Sequence, residues 1–347
     1  MPLTIPVEFG TGRLGDEIPT WLSIQPLKRK FYGIDLYFRE AWEELSTAAG
    51  SAEELRGWMH RHAILLCKPD AVVSRQLEAV FGWLTRHDIT VVASEIISAS
   101  RHVIRALWEF QWNIATRDRR DVTELFMTRS PMLVLVVRMP AHPVPAAVRM
   151  AALKGSADAS VRKPHQLRSS LSTVNYIVNS VHSPDEPADF VRELSVLLDE
   201  EQRRRVFQAM LVSPEHPPSA DAKQLYEQTR REPPLDYATR RSAWSHAVFA
   251  AEREGVIDTD HRRGLTELLA AVEAGKRGWR EFPAAMAHAQ VPWDAWDTVV
   301  LGTTLAEANV PDRFRILSGT SVREWESTAD QVAQALGADA RRTVPPR

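Results

Sequence analysis

The stretch VNYIVNSVHSPDEPADFVRE, residues 174–193, carries the reading of the fold. Read as a strand over 174–181 and a helix over 187–198, it sets His182 at a strand end, three residues after Asn179 and eleven before Glu193. An imidazole near neutral pH is able to act as an uncharged nucleophile without an added base. Alone, a histidine at a strand end is most often a polar surface group, and a single helix glutamate most often an exposed one. The surrounding chain therefore has to single this pair out.

Upstream, HAILLCKPDAV (62–72) contains a short apolar run ending at Pro69, which predicts a buried strand. LFMTRSPMLVLVV (125–137) reads as a helix end, a turn at Ser130 and Pro131, and a strongly apolar strand over 132–137. Between these lie a helix over 74–87, with Leu77, Val80, Phe81 and Leu84 at helical spacing and Ser74 as its cap, and a strand over 90–97. Further helices are predicted over 100–112, 121–127 and 143–153, then a polar, basic loop over 154–171. Four strands interleaved with helices over about 140 residues suggest a split β-α-β arrangement. The predicted class is α/β (α+β): a ferredoxin-like four-stranded sheet with flanking helices, plus a helical C-terminal region.

The chain of 347 residues exceeds one typical domain of about 150. Residues 1 to about 30, rich in Pro, Gly and Thr, read as an extended arm, followed by two short helices within 36–59 interrupted at 48–51. Pro-rich breaks at 214–218 and 233–234 precede a stretch, from 237 to about 336, rich in Ala, Leu, Glu and Arg at helical spacing. Within it only 298–301 offers a strand, and the tail RRTVPPR reads as frayed. The expected division is 1–59, 60–205 and 206–347. With 44% hydrophobic and 25% charged residues the composition is that of an ordinary globular chain. A net charge of −2 gives no global attraction to nucleic acid or membrane. The arginine clusters at 117–120 and 203–205 have acidic neighbours and read as solvated faces, and Trp279, Trp293, Trp296 and Trp325 as core. Cys67 is the only cysteine, which excludes an intramolecular disulfide and Cys-rich zinc sites. No basic segment followed by an apolar stretch opens the chain, and no apolar run is long enough to span a bilayer. A cytoplasmic protein with neither nucleic-acid nor membrane partners is expected. The P-loop pattern GxxxxGK[ST], a strand-linked GxGxxG and HExxH are all absent.

The three quoted stretches, in this order and spacing, resemble the nucleoside diphosphate kinase family over about residues 60–200. The resemblance implies a ferredoxin-like sheet and a phosphoryl group carried on His182, with Glu193 orienting the ring. Lys68 matches the family lysine that reaches the transferring phosphate, and Asp70 reads as holding the same turn. Arg149 and Arg168 resemble the two phosphate-contacting arginines, suited by their bidentate fork, and Asn179 the asparagine that contacts sugar or phosphate. The implied substrates are ATP or another nucleoside triphosphate with magnesium held by the phosphates, and a nucleotide or small-molecule acceptor; homo-oligomers are common in the family. No protein-borne metal cage is expected.

The departures matter as well. Pro184 stands where the family has a serine, the arginine-glycine-aspartate run reads Arg168, Ser169, Ser170, and the threonine after the first arginine has only Ser156 nearby. The paired phenylalanines that hold the base are missing; Arg119 and Arg120 fall near that place, with Phe110 and Trp112 earlier. The expected function is phosphotransfer through a phosphohistidine. Two alternatives are an inactive nucleotide-binding module that recruits a partner, and a biosynthetic enzyme with a dedicated small-molecule acceptor.

Overall fold

The computed structural model describes residues 18–212 and 215–328. Most of the expected N-terminal arm and the tail RRTVPPR lie outside these residues. Three helices, α1 (Pro26–Ile34), α2 (Leu36–Ala49) and α3 (Ala52–Arg61), precede the sheet, one more than the sequence predicts, because α1 begins inside the stretch read as an arm and ends before the predicted helices start at 36. Their boundaries follow from local chemistry. Asp35 accepts the Phe38 N–H to start α2, Gly50 at φ 74° ends it, and Ser51 accepts the Glu54 N–H to start α3.

The core follows as β1 (His62–Cys67), α4 (Pro69–Val73), α5 (Leu77–Arg86), β2 (Thr90–Ile97), α6 (Arg101–Leu107), α7 (Arg117–Met127), β3 (Met132–Arg138), α8 (Ala146–Lys154), β4 (Val181–His182), α9 (Pro187–Leu197) and α10 (Glu200–Val212). The strands form one four-stranded sheet in the order β2-β3-β1-β4, every pair antiparallel. This is the ferredoxin-like order. Alternation along the strands divides two cores. Ile64, Leu66, Val134 and Val136 face α2, α9 and the C-terminal helices, while Leu65, Cys67, Leu133 and Leu135 face α5, α8 and the helix at 219–228.

Several predicted elements differ from those observed. Ser74 does not cap a helix over 74–87: the chain makes a short helix, breaks at Arg75 with φ 57°, and begins α5 at Leu77. The helix expected over 100–112 stops at Leu107 and gives way to a 3₁₀ turn at Trp112–Ile114. The strand expected over 174–181 shrinks to β4, because the Asn175 side chain accepts the N–H groups of Ile177 and Val178 and coils that stretch into a turn.

The C-terminal region is helical: α11 (Ser219–Gln228), α12 (Tyr237–Arg253), α13 (Thr259–Glu273), α14 (Glu281–His288) and α15 (Ala295–Leu305), the last containing the stretch 298–301. Trp279, Trp296 and Trp325 are buried as expected, Trp325 in a small cluster with Val144 and Val148, and Trp293 packs against the core that holds Trp279 and Trp296. Arg203 is not solvated: it is buried and its Nη2 lies 2.6 Å from Glu44. Gly302 lets α15 close on α7, since a β-carbon there would lie 2.9 Å from Val122 Cγ2. Over 306–321 the chain runs without helix as a strap across the turn between α6 and α7, and helix resumes over 322–328. Val310 N–H donates to Ile114 O at 2.7 Å and Leu317 N–H to Phe110 O at 3.3 Å. Among the described residues no helix is long and apolar enough to cross a membrane.

Candidate functional site

The end of β1, the turn into β4 and the start of α9 converge on one cavity of about 460 Å³. Its position follows from the sheet order, which puts β1 beside β4 with Leu66 opposite His182. At the turn, Ser180 takes φ 68°, an uncommon conformation for a residue with a side chain. Three contacts hold it there: Asp70 Oδ2 accepts its N–H at 2.6 Å, its carbonyl accepts the Lys68 N–H at 2.9 Å, and its hydroxyl donates to Gln76. Asp70 therefore pins the backbone that aims His182 into the cavity.

The His182 side chain is 17% exposed, and its Nε2 lies 3.0 and 2.9 Å from the two Glu193 oxygens. Nδ1 has no hydrogen-bond partner among the described residues, and Trp108 meets the ring edge-on with centroids 5.8 Å apart. An ionised Glu193 accepting from Nε2–H fixes the tautomer that leaves the Nδ1 lone pair free. Burial, then the nearby cations Lys154, Arg168 and Lys68, hold the imidazole's proton affinity below its ordinary value. Burial and the neighbouring Asp189 and Asp185 push the Glu193 carboxyl well above the usual carboxylate range.

Three buried cations line the cavity with them. Lys68 Nζ donates to Ile177 O at 2.8 Å, and burial brings its pKa down to about 7. Lys154 Nζ donates to Ser183 O at 3.1 Å, and burial, joined by Arg168, brings it down to about 8. Arg168, lowered to about 10 by burial and Arg162, donates to Gly155 O at 2.8 Å, Asn179 O at 3.1 Å, Asn179 Oδ1 at 2.9 Å and Val181 O. Crowded, desolvated cations favour an anionic ligand, whose charge would restore their proton affinity.

The structure thus brings His182, Lys68, Glu193, Arg168 and Asn179 to one cavity. It does not bring Arg149 there: that guanidinium turns back to donate to Val144 O at 3.1 Å and Pro140 O at 2.8 Å, bracing the turn before α8. Phe110 also stays out, stacked on Phe31 at 5.4 Å. Lys154, at the end of the same helix, supplies the charge instead; its one sequence signal was its place beside Gly155 in the basic loop. Trp108, Asp185, Tyr176 and Arg315 line the cavity too, and sequence reasoning missed them. Arg315 comes from the C-terminal strap, so no local pattern pointed to it.

Asp185 carries no hydrogen bond or ion pair among the described residues, whereas Asp189 binds Lys28 and Tyr32 and Glu193 binds His182. Among the described residues no group of three or more acidic, His or Cys side chains is arranged to hold a metal. A divalent cation brought in on phosphate oxygens would meet one available carboxylate here, which fits a phosphate-borne magnesium.

A family model, nucleoside diphosphate kinase, matches residues 61–203. Among solved structures, the chain is similar to the nucleoside diphosphate kinase of Aquifex aeolicus at 15% identity, covering 41% of this chain and 96% of that one, with a TM-score of 0.35. It is also similar to the kinase of Pyrobaculum aerophilum at 20% identity, covering 41% and 97%, with a TM-score of 0.35. A third, from Halobacterium salinarum in complex with CDP, is 17% identical over 41% and 89%, also with a TM-score of 0.35. No curated protein matches the chain. With the strand order described above, the family match identifies residues 61–203 as a domain of the nucleoside diphosphate kinase family, a family of nucleotide phosphotransferases.

Proposed function

We propose that the protein moves the terminal phosphoryl group of a nucleoside triphosphate, through a phosphohistidine at His182, to a second phosphorylated molecule. The observation that carries this reading is the pairing of His182 Nε2 with both Glu193 oxygens, at 3.0 and 2.9 Å, while Nδ1 is left free in a cavity lined by Lys68, Lys154 and Arg168. The Nδ1 lone pair attacks the terminal phosphorus. The N–P bond forms as the bond from phosphorus to the bridging oxygen breaks, and the nucleoside diphosphate leaves with that electron pair. Glu193 supports the positive charge that develops on the ring. Lys68, Lys154 and Arg168 stabilise the equatorial oxygens. An acceptor oxygen then attacks the phosphohistidine, the N–P bond breaks, and Nδ1 recovers its lone pair, a ping-pong cycle. Asp185 would steady magnesium brought in on the donor's phosphates, which would supply neutralisation of phosphate charge.

In this reading the division expected from the sequence is kept, with residues 60–205 as the catalytic domain, the described residues of 1–59 supporting it and the described residues of 206–347 completing its wall. Incubation with γ-labelled ATP leaves acid-labile, base-stable label on the protein, absent from His182→Ala of unchanged melting temperature. Unlabelled wild-type protein would refute the reading. The inactive-module alternative has one observation in its favour: every Arg168 nitrogen is already committed to a protein oxygen. It predicts thermal stabilisation by ATP without label.

A further inference from the structure

Beyond the cations around His182, the cavity wall holds two more guanidiniums gathered on one ring. The Arg119 guanidinium lies over Tyr176, 5.4 Å from its centroid, and also donates to Asn309 Oδ1. Arg315 donates to the Tyr176 hydroxyl at 3.3 Å. Neither meets a carboxylate among the described residues, and the two oppose each other's charge. Several arginines of the C-terminal region are neutralised by contrast: Arg240 by Asp294 and Asp297, Arg241 by Glu273, Arg280 by Asp118 and Asp121. Arg231, Arg253, Arg313 and Arg323 carry no ion pair among the described residues either, but they are exposed and do not line the cavity. Two like charges aimed at one cavity without a counter-ion are stabilised when an anion enters between them. The place is also where the sequence lacks the aromatic clamp for a base. A base sandwiched between two planes needs them roughly 7 Å apart, two van der Waals contacts; the 5.4 Å between Arg119 and Tyr176 leaves no room.

The inner and outer groups are tied through one segment. The Tyr176 carbonyl accepts from Asn179 Nδ2 at 2.6 Å, and the next carbonyl, Ile177 O, accepts from Lys68 Nζ at 2.8 Å. The strap that carries Arg315 is itself anchored, with Leu317 buried and Gly319 so close to Asp185 that a β-carbon would lie 2.8 Å from Oδ2.

We propose that Arg119 and Arg315 form a second anion subsite, completed by the C-terminal strap, which selects a phosphoryl acceptor bearing a further phosphate or carboxylate away from the reacting end. The inference rests on the phosphotransfer reading of the same cavity, yet binding tests it separately. Calorimetry on the full chain compares ADP, ADP with an added ribose phosphate, and ADP with a carboxymethyl group on its adenine amine. At least one of the two modified probes is expected to bind about tenfold more tightly than ADP, the gain of one charge-assisted contact, and the arm that gains identifies the anion. In Arg315→Gln that ratio falls to near one, while Arg315→Lys keeps part of it; Arg315 is exposed, so both variants should keep the wild-type melting temperature. A ratio near one for both probes in the wild type, or a ratio undiminished in Arg315→Gln, would overturn the subsite. Failure of His182 to take label while the ratio holds would sink only the phosphotransfer reading.

Discussion

Glu193 is the residue on which the state of His182 turns. Its ionised form can only accept, from Nε2–H, whereas its protonated form can donate to Nε2 instead, and burial beside Asp189 and Asp185 raises its proton affinity. The rate of His182 labelling is therefore expected to fall on acidification at a pH above the ordinary carboxylate range, because a protonated Glu193 that donates to Nε2 leaves the ring proton on Nδ1. Glu193→Gln should be about 10²-fold slower, the upper end for loss of an orienting partner, and its rate should lack that acid limb. A pH profile of labelling for both proteins checks this, and a limb that persists in the variant would assign the titration elsewhere. At this scale the sequence was informative about His182, Glu193, Lys68, Arg168 and Asn179, because short spacings on one strand, one turn and one helix survive folding. It was not informative about Arg149. A phosphate contact depends on where a helix face points, and α8 turns that side chain toward Pro140 and Val144.

At the scale of elements, α9 carries Glu193 and is buried along all eleven of its residues. The N-terminal helices account for this. Lys28 from α1 sits 2.7 Å from both Glu186 and Asp189, Tyr32 donates to Asp189 at 2.6 Å, and Arg192 pairs with Asp35 at 3.1 Å. Removing one partner of a buried ion group leaves uncompensated charge, so Lys28→Met is expected to cost about 3–5 kcal/mol. Urea unfolding followed by circular dichroism measures that loss; a change below about 1 kcal/mol would mean that α1 contributes little to α9. The Pro-, Gly- and Thr-rich composition up to about residue 30, read as an extended arm, gave no hint of this role. Lys28 is an ordinary solvated side chain until the carboxylates of Asp189 on α9 and of Glu186 at its cap surround it.

For the whole molecule, the C-terminal region wraps onto the kinase-family domain through α15 on α7 and through the strap. Truncation after residue 305 removes Arg315 and Gly319 but leaves β1, β4, α9 and α15 intact. We expect this variant to melt cooperatively and to take label on His182 within about tenfold of the wild-type rate, since His182, Glu193, Lys68 and Lys154 all remain. Its preference for a doubly anionic ligand should vanish. Loss of label in a folded truncation would show that the strap is needed for chemistry as well as selection.

The alternating and continuous apolar runs at 62–67, 90–97 and 132–137 determined the strands, since a sheet buried on both faces demands them wherever the chain goes. The spacing of His182, Asn179 and Glu193 likewise set the pairing of that imidazole with Glu193, because an eleven-residue interval across one turn leaves few arrangements. Only the tertiary structure decided what surrounds that group. Lys154, Asp185, Tyr176 and Arg315 are separated along the chain by up to 161 positions and share no pattern. They meet because the sheet, α8 and the strap close on one cavity, and long-range packing of this kind leaves no periodic signature in sequence.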